Sequence, residues 1–494
     1  MATPLHYFIF LLLTCLTTAT SQSNQQQQQS YISALISQKG LDFAKDILID
    51  KAISSLTPLQ IPKIHKSVKL PFLGNVQVAL SNTTINQISV SSSSSYIKLG
   101  DTGIAIVVSG ATANLTMDWY YSYNTWFLLP VRISDRGSAS IQVEGMEVGL
   151  TLGLEDQQGT LKLSLMECGC YVNTMTITLD GGASWFYQGL VNAFEEQIIA
   201  AVESSISKKI REGILKLDSL LQTLPKEIPV DDIASLNATF VNDPSLGNSS
   251  IGIEIDGLFA KRNELPKEFP ALNYDQEKSK PLATCKGSSK MIGISLNEAV
   301  FSSASVVYFN AGVLKWVVDK VPEQSLLNTA GWKYVIPQLY RKYPNDDMKL
   351  NISFSSPAVI SVSSEKIDVT AYADMTIDVV DANQIIPVAC ISVVISASGS
   401  VEISGNMLVG SVGLDDFTLS LKWSNVGNFH MSLIRSVVWS FLKTVATPYI
   451  NSQLRKGFPL PIVRGFTLDN ADVALQNSVV TICSDVVFKD NYYH

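Results

Sequence analysis

The chain has 494 residues, well beyond the roughly 250–300 at which one hydrophobic core stops growing, so two large domains are expected. Hydrophobic residues make up 46% and charged residues only 16%, a balance that excludes a globally disordered chain. The net charge is −8, from 36 basic and 44 acidic residues with no basic stripe, which argues against nucleic acid as a partner, and four histidines leave little material for metal or triad chemistry.

Residues 1–23 read as a signal peptide. Tyr7 to Leu16 supplies an apolar run too short to span a bilayer at ~20 residues, and small residues (Thr18, Ala19, Thr20, Ser21) follow it, although the first residues lack Lys or Arg. A polar spacer with five consecutive glutamines then leads to Ser30. The expectation is a secreted, soluble glycoprotein. Five N-x-[ST] sequons, at Asn82, Asn114, Asn237, Asn248 and Asn351, agree with it.

An opening helix is predicted from Ser30, with Ile32, Leu35, Ile36, Phe43, Ile47 and Leu48 at helical spacing. Alternating stretches follow at Ile104–Val108, Val148–Leu154, Leu161–Leu165 and Met175–Leu179, which predicts antiparallel sheets with one apolar face. A long helix from near Trp185 carries the stripe Leu190, Phe194, Ile198, Val202, Ile206, Ile210, Ile214, Leu217, Leu221 and Leu224, about 50–60 Å in all. Residues 241–290 collect Pro244, Pro266, Pro270 and Pro281 and read as a linker, within which Ile251–Phe259 alternates like a strand joining two halves.

The second half repeats the order. Ser295 and Glu298 form a capping box for a helix bearing Val300, Ala304, Val307, Ala311, Leu314 and Val318. Strands are predicted at Ile367–Ala373 and Leu419–Trp423, then a helix with Val438, Phe441, Val445 and Tyr449 that Pro448 kinks. Gly153–Asp156 and Gly413–Asp416 echo one another. The domain expectation is therefore 30–240, the linker 241–290, and 291–494.

Five cysteines remain after residue 23: Cys168, Cys170, Cys285, Cys390 and Cys483. The number is odd, so at least one is free or pairs between chains. Cys168-Gly-Cys170 has no second Cys or His pair at zinc spacing, so no metal and no cofactor is expected. No G-x-S-x-G, H-E-x-x-H or Walker glycine pattern occurs, so catalysis is not expected either.

Several segments in order carry a resemblance: Ile36–Ala44, Glu144–Val148, Leu221–Pro225, Ala311–Lys315, Lys456–Pro461 and Asp485–Phe488. Together they resemble the plant branch of the bactericidal/permeability-increasing and lipopolysaccharide-binding protein family, over essentially the whole mature chain. The resemblance implies an α+β boomerang of two pseudo-symmetric antiparallel barrel-like domains, each with a long amphipathic helix, joined by a central sheet. It also implies one apolar phospholipid pocket per domain. Phe43, Ile47, Phe194, Ile198, Val202, Val307, Leu314, Phe441 and Val445 are the candidate lining residues. Filled cores are the competing reading of the same stripes.

Two departures follow. The family disulfide joins a strand cysteine, matched by Cys168, to a cysteine on the long helix, and this helix has none, which leaves Cys285 with Cys483 as a substitute pairing. The loop matching the family's lysine-bearing tip reads Asp118 to Phe127 without Lys or Arg, and residues 22–240 hold 15 basic against 20 acidic residues. A strongly cationic capture patch is not supported. Trp119, Tyr120, Tyr121, Trp126 and Phe127 could instead enter a lipid interface, or pack inward as a strand. Lys39, Lys45, Lys51, Lys63, Lys66 and Lys69 read as solvated surface or as a small basic patch. The function expected is a secreted binder of lipopolysaccharide or phospholipid in innate immunity, monomeric and touching membranes or particles transiently. Lipid transfer between membranes or particles is the alternative.

Overall fold

The computed structural model describes residues 29–70, 74–100, 103–124, 131–180, 194–262, 285, 289–320 and 324–489. Residues 1–23, and Trp126 and Phe127 of the aromatic stretch, lie outside the described residues.

The predicted opening helix is two elements. Strand β1 (Ile32–Ser37) precedes helix α1 (Gln38–Leu56), whose first turn is capped by the Ser37 hydroxyl accepting from the Gly40 N–H at 3.4 Å. Then come β2 (Gly74–Ser89), β3 (Gly103–Asn124), β4 (Arg132–Gln157), β5 (Thr160–Tyr171), β6 (Thr174–Asp180) and helix α2 (Glu195–Gln222). At 28 residues α2 is about 42 Å long, shorter than its stripe suggests. Leu224 lies beyond its end, and Leu190 lies outside the described residues.

Strands β7 (Ser250–Ile255) and β8 (Ile292–Asn297) lead into helix α3 (Glu298–Asn310). Its cap is Asn297, which accepts from the Ala299 N–H at 2.9 Å. Ser295 is buried inside β8, and Glu298 accepts from the Val362 N–H, so the expected capping box does not form. Gly312, at φ +70°, follows the helix in a left-handed conformation that favours glycine. Leu314 therefore sits beyond the helix, and Val318 lies in β9 (Lys315–Val318). The rest is β10 (Asp347–Phe354), β11 (Ile367–Asp381), β12 (Gln384–Ser404), β13 (Met407–Ser424), α4 (Met431–Phe441), α5 (Thr447–Leu454), β14 (Phe466–Gln476) and β15 (Val479–Phe488). A π-helical turn, Leu442–Ala446, separates α4 from α5 just before Pro448, which relocates the expected kink to that widened turn.

Three principal sheets result. The N-terminal sheet runs β2-β3-β4-β5 with shorter strands at its margins. The C-terminal sheet runs β9-β10-β11-β12-β13 and ends on Phe458–Pro459. A six-stranded central sheet runs Ser245–Leu246, β7, β1, β8, β15, β14, so the alternating segment after residue 250 does join the halves. Among the described residues neither flanking sheet closes on itself by strand pairing, so the barrel-like expectation becomes an open sheet in each half.

A helix supplies the missing closure in each half. Side chains of α2 bond the backbone of edge strand β5 and of Val172 just past its end. Asp218 accepts from Leu163 N–H and Glu203 from Val172 N–H, both at 2.8 Å, and Arg211 donates to the Cys168 carbonyl at 3.5 Å. In the second half Asn451 of α5 accepts from Val412 N–H at 2.8 Å and donates to the Val412 carbonyl at 3.0 Å, while Arg435 of α4 donates to the Phe417 carbonyl at 2.8 Å. Otherwise bare strand edges are thereby satisfied. The repeat of the two halves lies in this order of elements. The Gly153–Asp156 and Gly413–Asp416 echo does not share it, since the first lies on β4 and the second on edge strand β13.

Candidate functional site

The two apolar interiors under the sealing helices are the candidate sites. In the first half Ile198, Val202 and Ile206 recur every four residues on α2, each no more than 1% exposed, with buried Phe194 just before them. They meet Val76 and Leu80 of β2, Leu115 of β3, and Ile141 and Val143 of β4 in one core. Burying each large aliphatic side chain is worth about 1.5–3 kcal/mol, so this stripe alone anchors α2 to the sheet. Lys66, on the strand Ile64–Leu70 that pairs with β2, lies 5.5 Å over the Phe194 ring, so the helix start also reaches the opposite margin of the sheet.

In the second half Ile434, Val438 and Phe441 of α4, then Leu442, Val445 and Ala446 of the π turn, pack on Leu350, Met375, Ile377, Ile391, Val393 and Phe417. Trp316 of β9 lies 5.9 Å from Phe441 and stacks on Tyr449 at 4.7 Å, so this helix too spans from one sheet margin to the other. A hollow of about 10 Å³ remains between Val437, Val438 and Phe441 on one side and Leu327, Trp332, Leu350 and Met375 on the other. That is room for about one water molecule. Its lining is apolar apart from the Trp332 indole N–H, which donates to the Leu326 carbonyl at 3.0 Å. An acyl chain entering here must displace α4 from the sheet.

The nine candidate lining residues are thus divided. Phe194, Ile198 and Val202 face the N-terminal interior, and Phe441 and Val445 the C-terminal one. Val307 is buried in the third core, beneath the central sheet, and not in a domain interior. Leu314 is half-buried beyond α3. Phe43 and Ile47 lie on a half-buried flank of α1, whose core-facing residues near the first interior are Ile49, Ile53 and Leu56.

The aromatic stretch resolves by strand parity. Trp119 and Tyr121 point inward from β3 and are buried, stacked in a ladder with Tyr123 at 6.2 and 6.3 Å. The Trp119 indole donates to the Ser138 carbonyl at 2.9 Å, and its cross-strand neighbour is Gly137, where any Cβ would fall 2.5 Å from the ring. These two are core residues, not interfacial ones. Among the described aromatics of this stretch Tyr120 faces out, and hydrogen bonding from Ser122 and Ser134 draws its hydroxyl below the usual tyrosine range.

The basic set is also partly structural. Lys45 is buried, donates to Ser95 and pairs with Asp46 at 3.0 Å, so it is not solvated surface. Lys39 pairs with Asp485 at 2.8 Å. Of the sequons, Asn82, Asn114, Asn248 and Asn351 are exposed, whereas Asn237 is half-buried and accepts from its own sequon's Thr239. Cys285 and Cys483 form a disulfide, and Cys168, Cys170 and Cys390 are free. The polar residues that bind the helices to the sheet edges were not singled out as functional from sequence. Their signal is the spacing of Glu203, Arg211 and Asp218, about two turns apart on one side of α2.

Comparison with known proteins meets this geometry directly. The description "LBP / BPI / CETP family, N-terminal domain" matches residues 40–224, and the C-terminal domain of the same family matches residues 229–488. The chain belongs to the LBP/BPI/CETP family. Within it, a BPI/LBP family protein of Arabidopsis thaliana is 57% identical over 464 residues, covering 94% of this chain and 93% of that one. A bactericidal permeability-increasing protein of Sebastes schlegelii is 26% identical, covering 92% and 95%. A crystal structure of lipopolysaccharide binding protein superposes with a TM-score of 0.63 at 20% identity, covering 93% of this chain and 99% of that one, so the LBP/BPI/CETP architecture extends through the chain.

Proposed function

We propose that this chain is a secreted lipid binder that holds acyl chains in the two apolar interiors and recognises amphipathic lipids such as lipopolysaccharide or phospholipid. The observation that carries the reading is the repeated construction: a sheet left open by its strands and sealed by one amphipathic helix. Such a seam can part without breaking strand pairing, and an apolar guest then replaces the helix–sheet contact. Each buried CH₂ yields roughly 0.8 kcal/mol, so a sixteen-carbon tail offers on the order of 10 kcal/mol against the contacts it displaces. The names of the relatives, bactericidal permeability-increasing protein and lipopolysaccharide-binding protein, support the same class of ligand.

Under this reading residues 1–23 are removed on secretion, the exposed sequons carry glycans, and domains 30–240 and 291–494 each hold one lipid in a monomer with no catalytic role. A part in the innate response to bacteria follows from the ligand class. Native mass spectrometry of the secreted protein, with extraction of whatever lipid co-purifies, tests it. Two lipids per chain are expected. A lipid-free protein that also fails to bind lipid A and phospholipid overturns the reading. Lipid transfer is the second reading, favoured by seams held through a few side chains. Its readout is movement of labelled lipid between vesicles.

A further inference from the structure

The 52 residues from Phe417 to Leu468 contain no Asp or Glu and six Lys or Arg, in a chain whose net charge is −8. This acid-free stretch contains both α4 and α5. The corresponding sealing helix of the first half, α2, differs: it carries five acidic and four basic residues. Two of the six cations are committed inside the fold, Arg435 to Asp416 and Lys422 to Asp374, both at 2.6 Å. Lys443, Arg455 and Lys456 make no ion pair among the described residues and are exposed. Lys456 donates to Gln453 of its own helix end, at 2.7 Å, and its charge also reaches the Asp231 carboxylate without forming an ion pair among the described residues.

The same outer face is apolar where an ordinary surface helix is polar. Tyr449, whose ring stacks on Trp316, is still 46% exposed, and Ile450 and Leu454 are each 37% exposed, on the last two turns. Across the π turn the inward side chains Phe441 and Leu442 fill the C-terminal core. The inner side of α5 holds to the sheet through Asn451, with none of its own residues buried, and an outer surface both apolar and cationic does not suit bulk water. It suits the headgroup boundary of a bilayer, where aliphatic and tyrosine side chains enter the acyl margin and lysines and arginines meet phosphates.

We propose that the outer face of α5 and the preceding π turn is a membrane-docking surface for bilayers rich in anionic phospholipid, contacting them through Tyr449, Ile450 and Leu454 with Lys443, Arg455 and Lys456. The surface deepens the lipid-binding reading and rests on it, because docking sets the helix that seals the C-terminal interior against the lipid source. The cations select the anionic bilayer, and the apolar residues supply insertion.

Flotation of the full-length protein with phosphatidylcholine vesicles, with and without phosphatidylserine, tests it. Binding is expected only with phosphatidylserine present and is expected to weaken with salt. Lys443→Gln/Arg455→Gln/Lys456→Gln should lower affinity on the order of 100-fold, at roughly 5-fold per cation. Ile450→Ser/Leu454→Ser should weaken binding while leaving its salt dependence intact. Lys208→Gln/Lys209→Gln on α2 serves as a control and should change nothing. Folding is monitored by circular dichroism, and lipid content is read by native mass spectrometry on the same preparations. Wild-type protein that ignores anionic vesicles, a folded triple variant that still binds them normally, or an equal loss in the α2 control overturns the docking surface. Vesicle binding by lipid-free protein would sink the interior reading while leaving docking in place, and loss of vesicle binding by protein that keeps its lipids would do the reverse.

Discussion

Replacing Asn451 with alanine removes two hydrogen bonds at once, because one carboxamide both accepts from and donates to the backbone of Val412. Val412 lies on β13 opposite Gly399 of β12, and its outward backbone groups have no strand partner among the described residues. Each neutral hydrogen bond contributes about 0.5–1.5 kcal/mol, and a buried group left unpaired costs about 1–3 kcal/mol. Val412 is only half-buried, so water recovers part of the loss, and about 2 kcal/mol is the expected local cost. At 1.4 kcal/mol per factor of ten, the Val412 amide should exchange its hydrogen roughly 30-fold faster. Hydrogen-exchange mass spectrometry of peptides covering β13 measures this without assuming that a chain of several cores unfolds in one step. Asn451→Asp keeps the acceptor for the Val412 N–H and loses the donor, so it should fall between wild type and alanine. Unaltered exchange in the alanine variant would show that the strand edge does not depend on this side chain, and the helix-sealing account of the second half would fail.

Other expectations concern the disulfide and the titratable groups. The Cys285–Cys483 bridge closes a sequence separation of 198 residues, so Cys483→Ser should cost roughly 3–5 kcal/mol and lower the melting temperature; an unchanged melt would remove the bridge from the list of stabilising features. Burial raises the Asp256 carboxyl above its ordinary range, against the hydrogen bond it accepts from the Leu258 N–H. A raised carboxyl holds its proton more tightly when folded, so its contribution to stability declines as pH rises through its ordinary value toward the raised one. Asp256→Asn should therefore flatten that decline, which begins at the ordinary aspartate range and runs upward in pH, in denaturant titrations; identical slopes for the two proteins contradict the shift. Burial, the Glu203 charge and neighbouring Cys168 push the Cys170 thiol up to about 12. Iodoacetamide at pH 8 should label Cys168 faster than Cys170, since Arg211 beside Cys168 offsets part of the rise that burial causes there. Peptide mapping that finds Cys170 labelled first refutes the assignment.

The long sheets were legible because one face is wet. Ile104, Ile106 and Val108 on β3 alternate with more exposed neighbours, and period two survives in the sequence. Strand β1 was misread for the opposite reason. It lies between β7 and β8 with both parities covered at its start, as buried Ile32 and Ser33 show, so no alternation remains and the spacing of Ile32, Leu35 and Ile36 mimics a helix. The α2 stripe was legible because a long helix keeps its period, and its Ile198, Val202, Ile206 and Ile214 are all buried. The α3 stripe ran on through Gly312 because apolar residues continue at the same spacing into β9. Aromatic content at Trp119 to Tyr123 carried no information about direction, which depends on the register of β3 against β4. The sealing contacts were hidden because their partners are backbone groups, which every residue has.

The placement of β1 has a consequence for any attempt to divide the protein. Both neighbours of this strand, β7 and β8, come from beyond residue 240, while the strand itself opens the N-terminal half. A fragment ending at 240 would keep an apolar ribbon with two naked flanks, the kind of segment that recruits other chains into aggregates. The halves resemble independent modules in outline, yet the first is completed only when the second has been synthesised.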